Sequence, residues 1–100
     1  MNKQYIKNLL LNNKKNLKKY GVKKIGIFGS SVRNELNKNS DIDIVVEFEK
    51  GKATMKNFVE LTEFLENLFN RKVDVLTPEG INNIRIKYIK DKIKKEIEYV

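Results

Sequence analysis

The chain contains neither cysteine nor histidine. Thiolate nucleophiles, disulfides, imidazole bases and zinc sites built on nitrogen or sulfur are therefore excluded. Chemistry is left to carboxylates, hydroxyls, Lys, Arg and backbone amides, a donor set suited to hard cations such as Mg²⁺ or Mn²⁺. Gly29-Ser30 is the first candidate. Glycine lets backbone come close to a phosphate, and the serine hydroxyl can donate to a phosphate oxygen. No Gly-Lys-Ser or Gly-Lys-Thr follows a glycine at Walker spacing, so this is not a P-loop. Asp41-Ile42-Asp43 is the second. On a strand, residues i and i+2 share a face about 6.5–7 Å apart, and two carboxylates there repel unless a cation lies between them. Asp74, in Val73-Asp74-Val75, is a third carboxylate that a neighbouring strand could bring to the same place. Arg33 would either add positive charge at a phosphate or form a surface ion pair. Each feature alone also has an ordinary reading: a serine-capped turn, a solvated strand face, an exposed acid on a short strand.

The elements that position these residues can be read from periodicity. Ile6, Leu9, Leu10, Leu17 and Tyr20 recur at helical spacing and predict one amphipathic helix over Lys3 to Lys19, stopped by Gly21. Val22 to Phe28 reads as a strand. Gly29-Ser30-Ser31 breaks it, and Ser30 or Ser31 would cap a short helix reaching about Leu36, offering free N–H groups and a positive dipole end. After a polar turn at Asn37 to Ser40, Asp41 to Phe48 reads as a second strand, with Ile42, Ile44 and Val46 alternating against Asp41, Asp43 and Val45. Phe58, Leu61, Thr62, Leu65 and Phe69 mark a long helix, with Asn57 and Glu60 spaced as a capping box. Val73 to Leu76 is a third strand and Thr77 to Gly80 a turn. From Ile81 on, Ile86, Ile89, Ile93 and Ile97 predict a final helix.

The order is α-β-α-β-α-β-α in a single domain over residues 1–100, an α/β (α+β) fold with one small sheet covered by helices. The stretch from Gly29 to Asp41 is barely long enough for a parallel crossover, so the first two strands should be antiparallel and the sheet mixed.

Gly29-Ser30, ten intervening residues, then Asp41-Ile42-Asp43 resembles the signature of the nucleotidyltransferase superfamily that includes DNA polymerase beta. The longer runs Gly26-Ile27-Phe28-Gly29-Ser30-Ser31-Val32-Arg33 and Ser40-Asp41-Ile42-Asp43-Ile44 resemble the minimal nucleotidyltransferases of prokaryotes, and the likeness continues through Val73-Asp74-Val75-Leu76 to the C-terminal helix. At position 34 the family commonly has Gly where this chain has Asn34, a residue that tolerates left-handed backbone. The resemblance implies a polymerase-beta-like fold and a site that transfers AMP from ATP. Gly29 and Ser30 would hold the β- and γ-phosphates, with Arg33 a further nucleotide contact. Asp41 and Asp43 would bind two Mg²⁺ ions (Mn²⁺ being a substitute), and Asp74 would bind one of them and help activate an acceptor hydroxyl. It further implies a partner, since many minimal members accompany a helical HEPN-domain RNase toxin. This chain would then be the antitoxin that adenylylates a toxin tyrosine, working as a hetero-oligomer with the toxin or as a homo-oligomer.

Two other readings use different features. A binding antitoxin would neutralise its partner by contact alone, though all three acids are present. A nucleic-acid-binding protein would use the formal charge of +8. Lysines fall on every predicted helix rather than on one stripe, so nucleic acid is not the expected partner. No stretch approaches the ~20 apolar residues of a membrane span, and the polar start Met1-Asn2-Lys3-Gln4 lacks a signal-peptide core, which predicts a cytoplasmic protein.

Overall fold

The computed structural model describes residues 1–100. Its elements, in chain order, are helices α1 (Lys3–Asn12) and α2 (Lys14–Lys19), strand β1 (Val22–Phe28), a 3₁₀ turn (Gly29–Ser31), strand β2 (Ile42–Phe48), helix α3 (Met55–Phe69), strand β3 (Val73–Leu76), helices α4 (Pro78–Asn82) and α5 (Lys87–Glu96), and strand β4 (Glu98–Tyr99). The sheet runs β3-β2-β1-β4. β1 pairs antiparallel with β2 and β4, while β2 pairs parallel with β3, so the sheet is mixed as the short connection required.

Alternation along β2 sorts the two faces. Ile42, Ile44 and Val46 turn inward with Ile25 and Ile27 of β1, Ile6 and Leu10 of α1, Leu17 of α2, and Leu61, Leu65 and Phe69 of α3. This is the main core. Val45 points the opposite way and meets Phe28 and Ile81 in a smaller cluster, closed by Ile93 and Ile97. Three helices thus cover one face fully, and the short α4–α5 unit covers only part of the other. The carboxylates stand on this second, partly open face.

Several local expectations are corrected. The N-terminal helix is two helices, because Asn13 leaves helical geometry at φ −112°, ψ 19°. Its side-chain amide donates to the Leu9 carbonyl at 2.8 Å, the kind of local bond by which Asn competes with a continuing helix. A second asparagine pair, Asn82-Asn83, ends α4, and the last helix starts only at Lys87. The turn at Thr77 to Gly80 is the start of α4, with Thr77 accepting from the Gly80 N–H and Pro78 in the first turn, where a missing donor costs nothing. Helix α3 is capped by Thr54, which accepts from the Asn57 N–H, and not by Asn57. The helix expected from Ser31 to Leu36 does not form. A single 3₁₀ turn without a side-chain cap is followed by Asn34 at φ 57°. Strand β4 was not foreseen. It docks where Gly26 has no side chain: a Cβ there would lie 2.7 Å from the Glu98 carbonyl oxygen.

Candidate functional site

Strand pairing assembles the three acids. Asp43 is the register partner of Phe28 on one side and of Asp74 on the other. Neighbouring strands lie about 4.8 Å apart, so the two carboxylates leave the same face side by side. Asp41 sits immediately before β2, two residues from Asp43 and also half-buried. The expected trio is therefore brought together, with Asp74 exposed at its rim. No three acids converge tightly enough to cage an ion by themselves.

Asp43 is the focus of the site's electrostatics. Its pKa is pushed up from 3.8 to about 6, first by burial, then by the negative charges of Asp74 and Asp41. Arg33 opposes the rise, and Glu96 adds a smaller push upward. A group of like charges held close, at a cost to the charged form, is what a bound cation would relieve. The donors are all oxygen, which fits a hard divalent ion. Mg²⁺ is commonly held by one or two carboxylates plus substrate phosphates rather than by an all-protein cage, so this open arrangement suits it.

Gly29 stands directly against Asp43. Its φ is 65°, a region L-residues enter at a cost, and a Cβ at this position would collide with the Asp43 carboxylate. Ser30 follows in the turn. The Gly29 carbonyl accepts from the Val32 and Arg33 N–H groups at 3.1 and 3.4 Å, and the Ser30 carbonyl accepts from the Glu35 N–H at 3.0 Å. The loop is thus closed on itself next to Asp43. Without a following α-helix there is no macrodipole here, and any phosphate contact rests on the turn backbone and the Ser30 hydroxyl.

Two residues beside the acids carry features that no local sequence pattern marked. Ser31 is fully buried, and its Oγ has no hydrogen-bond partner. Glu96, at the end of α5, reaches Arg33: Nη1 donates to Oε1 at 2.5 Å, while Arg33 Nε donates to Glu35 at 2.6 Å. The surface ion pair considered for Arg33 is thus formed, and it lies beside the acids rather than away from them. No local pattern marks Glu96, because its partner is 63 residues earlier.

Comparison with known proteins gives a consistent result. The family model described as "Nucleotidyltransferase domain" matches residues 6–100. A Methanocaldococcus jannaschii protein described as a candidate protein adenylyltransferase is 42% identical over 97 residues, 95% of this chain and 94% of the relative. The protein adenylyltransferase MntA of Thermococcus cleftensis is 38% identical over 96 residues, 95% and 92% of the two chains. Among solved structures, one described as a candidate minimal nucleotidyltransferase superposes with a TM-score of 0.75 at 22% identity, covering 98% of this chain and 95% of that one. A toxin–antitoxin structure with AMP-PNP superposes at 0.62 with 21% identity, covering 99% and 72%. At these identities the structural likenesses speak to the fold alone.

Proposed function

The chain belongs to the nucleotidyltransferase-domain family and is a nucleotidyl-transferring enzyme, and on that premise we propose that it moves AMP from ATP onto a tyrosine hydroxyl of a partner protein, a helical HEPN-domain toxin that the modification silences. The observation that carries this reading is the register pairing of Asp43 with Asp74 against the Gly29 turn. The relatives named protein adenylyltransferase support AMP as the group and protein as the acceptor. The toxin–antitoxin neighbour supports a toxin as that protein.

In this scheme Gly29 and Ser30 receive the terminal phosphates. Asp41 and Asp43 would hold two divalent ions, Mg²⁺ or Mn²⁺, and Asp74 would join one of them. When bound, such ions lower the acceptor's pKa and neutralise charge on the triphosphate and the departing pyrophosphate. Asp43, with a pKa of about 6, is mainly carboxylate at neutral pH and able to take this part. Asp74, exposed at the rim, faces an incoming acceptor and takes the proton of its hydroxyl. The acceptor oxygen then bonds to the α-phosphorus, the bond from that phosphorus to the bridging oxygen breaks, and pyrophosphate leaves. Arg33 reaches the phosphates by exchanging Glu35 and Glu96 for them. A folded partner brings its own binding surface, which suits an enzyme of 100 residues with one small sheet.

The decisive experiment pairs the chain with its toxin, α-labelled ATP and Mg²⁺. Label and a mass gain of AMP should appear on a toxin tyrosine, and the toxin's RNase activity should fall in step. If the Asp43→Asn protein inhibits the toxin equally and no mass is gained, neutralisation is by contact and the enzymatic antitoxin reading fails.

A further inference from the structure

No α-helix follows the Gly29-Ser30 turn, so something else must fix where Ser30 and Arg33 stand. Asn34 closes the turn. Its φ of 57° is left-handed, and the chain reverses there so that the Glu35 N–H reaches back to the Ser30 carbonyl at 3.0 Å. The same residue also reaches outward. Its Oδ1 accepts the Lys3 N–H at 2.7 Å, across 31 positions of sequence.

Lys3 is the first residue of α1. The first N–H groups of a helix have no partner within it. Asn2 accepts that of Tyr5, and Asn34 accepts that of Lys3. The helix that supplies this donor is well anchored. Ile6 and Leu10 are fully buried in the main core, and the Lys3 and Lys7 ammonium groups both bind Glu98 beside β1, at 3.1 and 3.0 Å. Asn34 thus moors a short loop to a fixed element.

Only two side-chain hydrogen bonds connect residues 29–35 with other elements: Arg33 with Glu96, and Asn34 with Lys3. Val32 also packs against the core, but apolar packing is non-directional and sets no orientation as a hydrogen bond does. In the scheme above, Arg33 gives up Glu96 when phosphates arrive. The bond from Lys3 to Asn34 is then the tie that remains. We propose that Asn34 is a positioning residue of the nucleotide site, holding Ser30 and Arg33 in place for the triphosphate through the Lys3 N–H, an assignment that rests on the phosphate role proposed for the turn. Asn34 itself touches no nucleotide in this arrangement.

The donor can be removed without disturbing the helix. Proline is favoured at the first helical position, and Asn2 before it already has the extended backbone that a following proline requires, at φ −108° and ψ 173°. Lys3→Pro is compared with Lys3→Ala, because both lose the ammonium bound by Glu98 and only proline loses the N–H. From the other side, Asn34→Gly removes the acceptor and leaves the left-handed backbone free of strain. Calorimetric titration with Mg²⁺ and AMP-PNP, without acceptor, should give a Kd about three- to tenfold higher in Lys3→Pro than in Lys3→Ala, and in Asn34→Gly than in the parent, the range one neutral hydrogen bond supports. The double variant Lys3→Pro/Asn34→Gly should be no weaker than either single change, since both delete the same bond. In transfer assays KM for ATP should rise by the same factor while kcat stays within about twofold, a split that mere loss of stability would not give. Lys3→Pro binding as tightly as Lys3→Ala, or penalties that add in the double variant, would overturn the proposal. Nucleotide binding by the parent without any AMP transfer would instead sink the transfer reading and leave this one standing. A parent that binds no Mg²⁺ and AMP-PNP would sink both.

Discussion

The Cα of Gly29 lies against the carboxylate of Asp43, close enough that no side chain fits between them. The turn proposed to receive phosphate and the acid proposed to hold metal are thus in direct contact. Gly29→Ala is expected to add about 1–2 kcal/mol of left-handed backbone strain and to displace Asp43. Transfer should fall by at least a hundredfold while circular dichroism still reports a folded protein. Wild-type turnover in that variant would detach Gly29 from the site.

The raised pKa of Asp43 sets a sign for stability. Between pH 4 and about 6 the folded state binds a proton more readily than the unfolded chain, so this group's contribution falls as pH rises through that window. Asp43→Asn should remove the penalty. A shift of about two units corresponds to ~3 kcal/mol, which solvent screening of a half-exposed carboxylate reduces to about 1 kcal/mol. Urea titrations at pH 7 should therefore find Asp43→Asn slightly more stable than the parent, and equally stable near pH 4. Transfer should be abolished in it and in Asp41→Asn.

At sub-saturating Mg²⁺, where kcat/KM reports the metal-free protein, activity should rise with pH along an acidic limb centred near 6 as Asp43 ionises, and saturating Mg²⁺ should move that limb to lower pH. Arg33 lowers that pKa. In Arg33→Ala the limb should move to higher pH, and in Glu96→Gln to lower pH, because the Glu96 charge itself raises the Asp43 pKa while Glu35 still holds Arg33 in place. Rate–pH profiles of the two variants that shift in the same direction would contradict this arrangement.

The adjacent serines should part company. Ser30→Ala loses one hydroxyl contact to phosphate and should weaken transfer by about 1–3 kcal/mol, less than either aspartate change. Ser31 has a buried hydroxyl without a partner. Ser31→Ala removes a desolvated polar group and should raise stability by about 1 kcal/mol with little effect on rate. Thermal melts and steady-state kinetics on the pair distinguish the two roles.

Much of this protein was legible in short-range pattern. Period-two alternation at Ile42, Ile44 and Val46 marked β2 and the outward set of its acids. The bounds of β1 and β3, the helical register of Leu61, Leu65 and Phe69, and the antiparallel pairing forced by a short connection were readable for the same reason: each depends on neighbours within a few residues. At Asn13, where the asparagine side chain competes with the backbone, propensity misled, since apolar spacing continues across a break that one local hydrogen bond decides. Strand β4 has two residues, too few for any periodic signal, and exists because Gly26 leaves room for it.

From the sequence alone came the identities of the acids, their oxygen-only chemistry, and the common face of Asp41 and Asp43. The tertiary structure alone decided that Asp74 stands beside Asp43 and that Glu96 holds Arg33 next to them. These partners are separated in the chain by 31 residues for the two acids and 63 for the ion pair. Their meeting follows from strand order and from burial of Val45, Phe28 and Ile81, which pulls α4 and α5 back onto the open face. No local spacing encodes it, because hydrophobic burial is non-directional and specifies contacts only once the whole chain has packed.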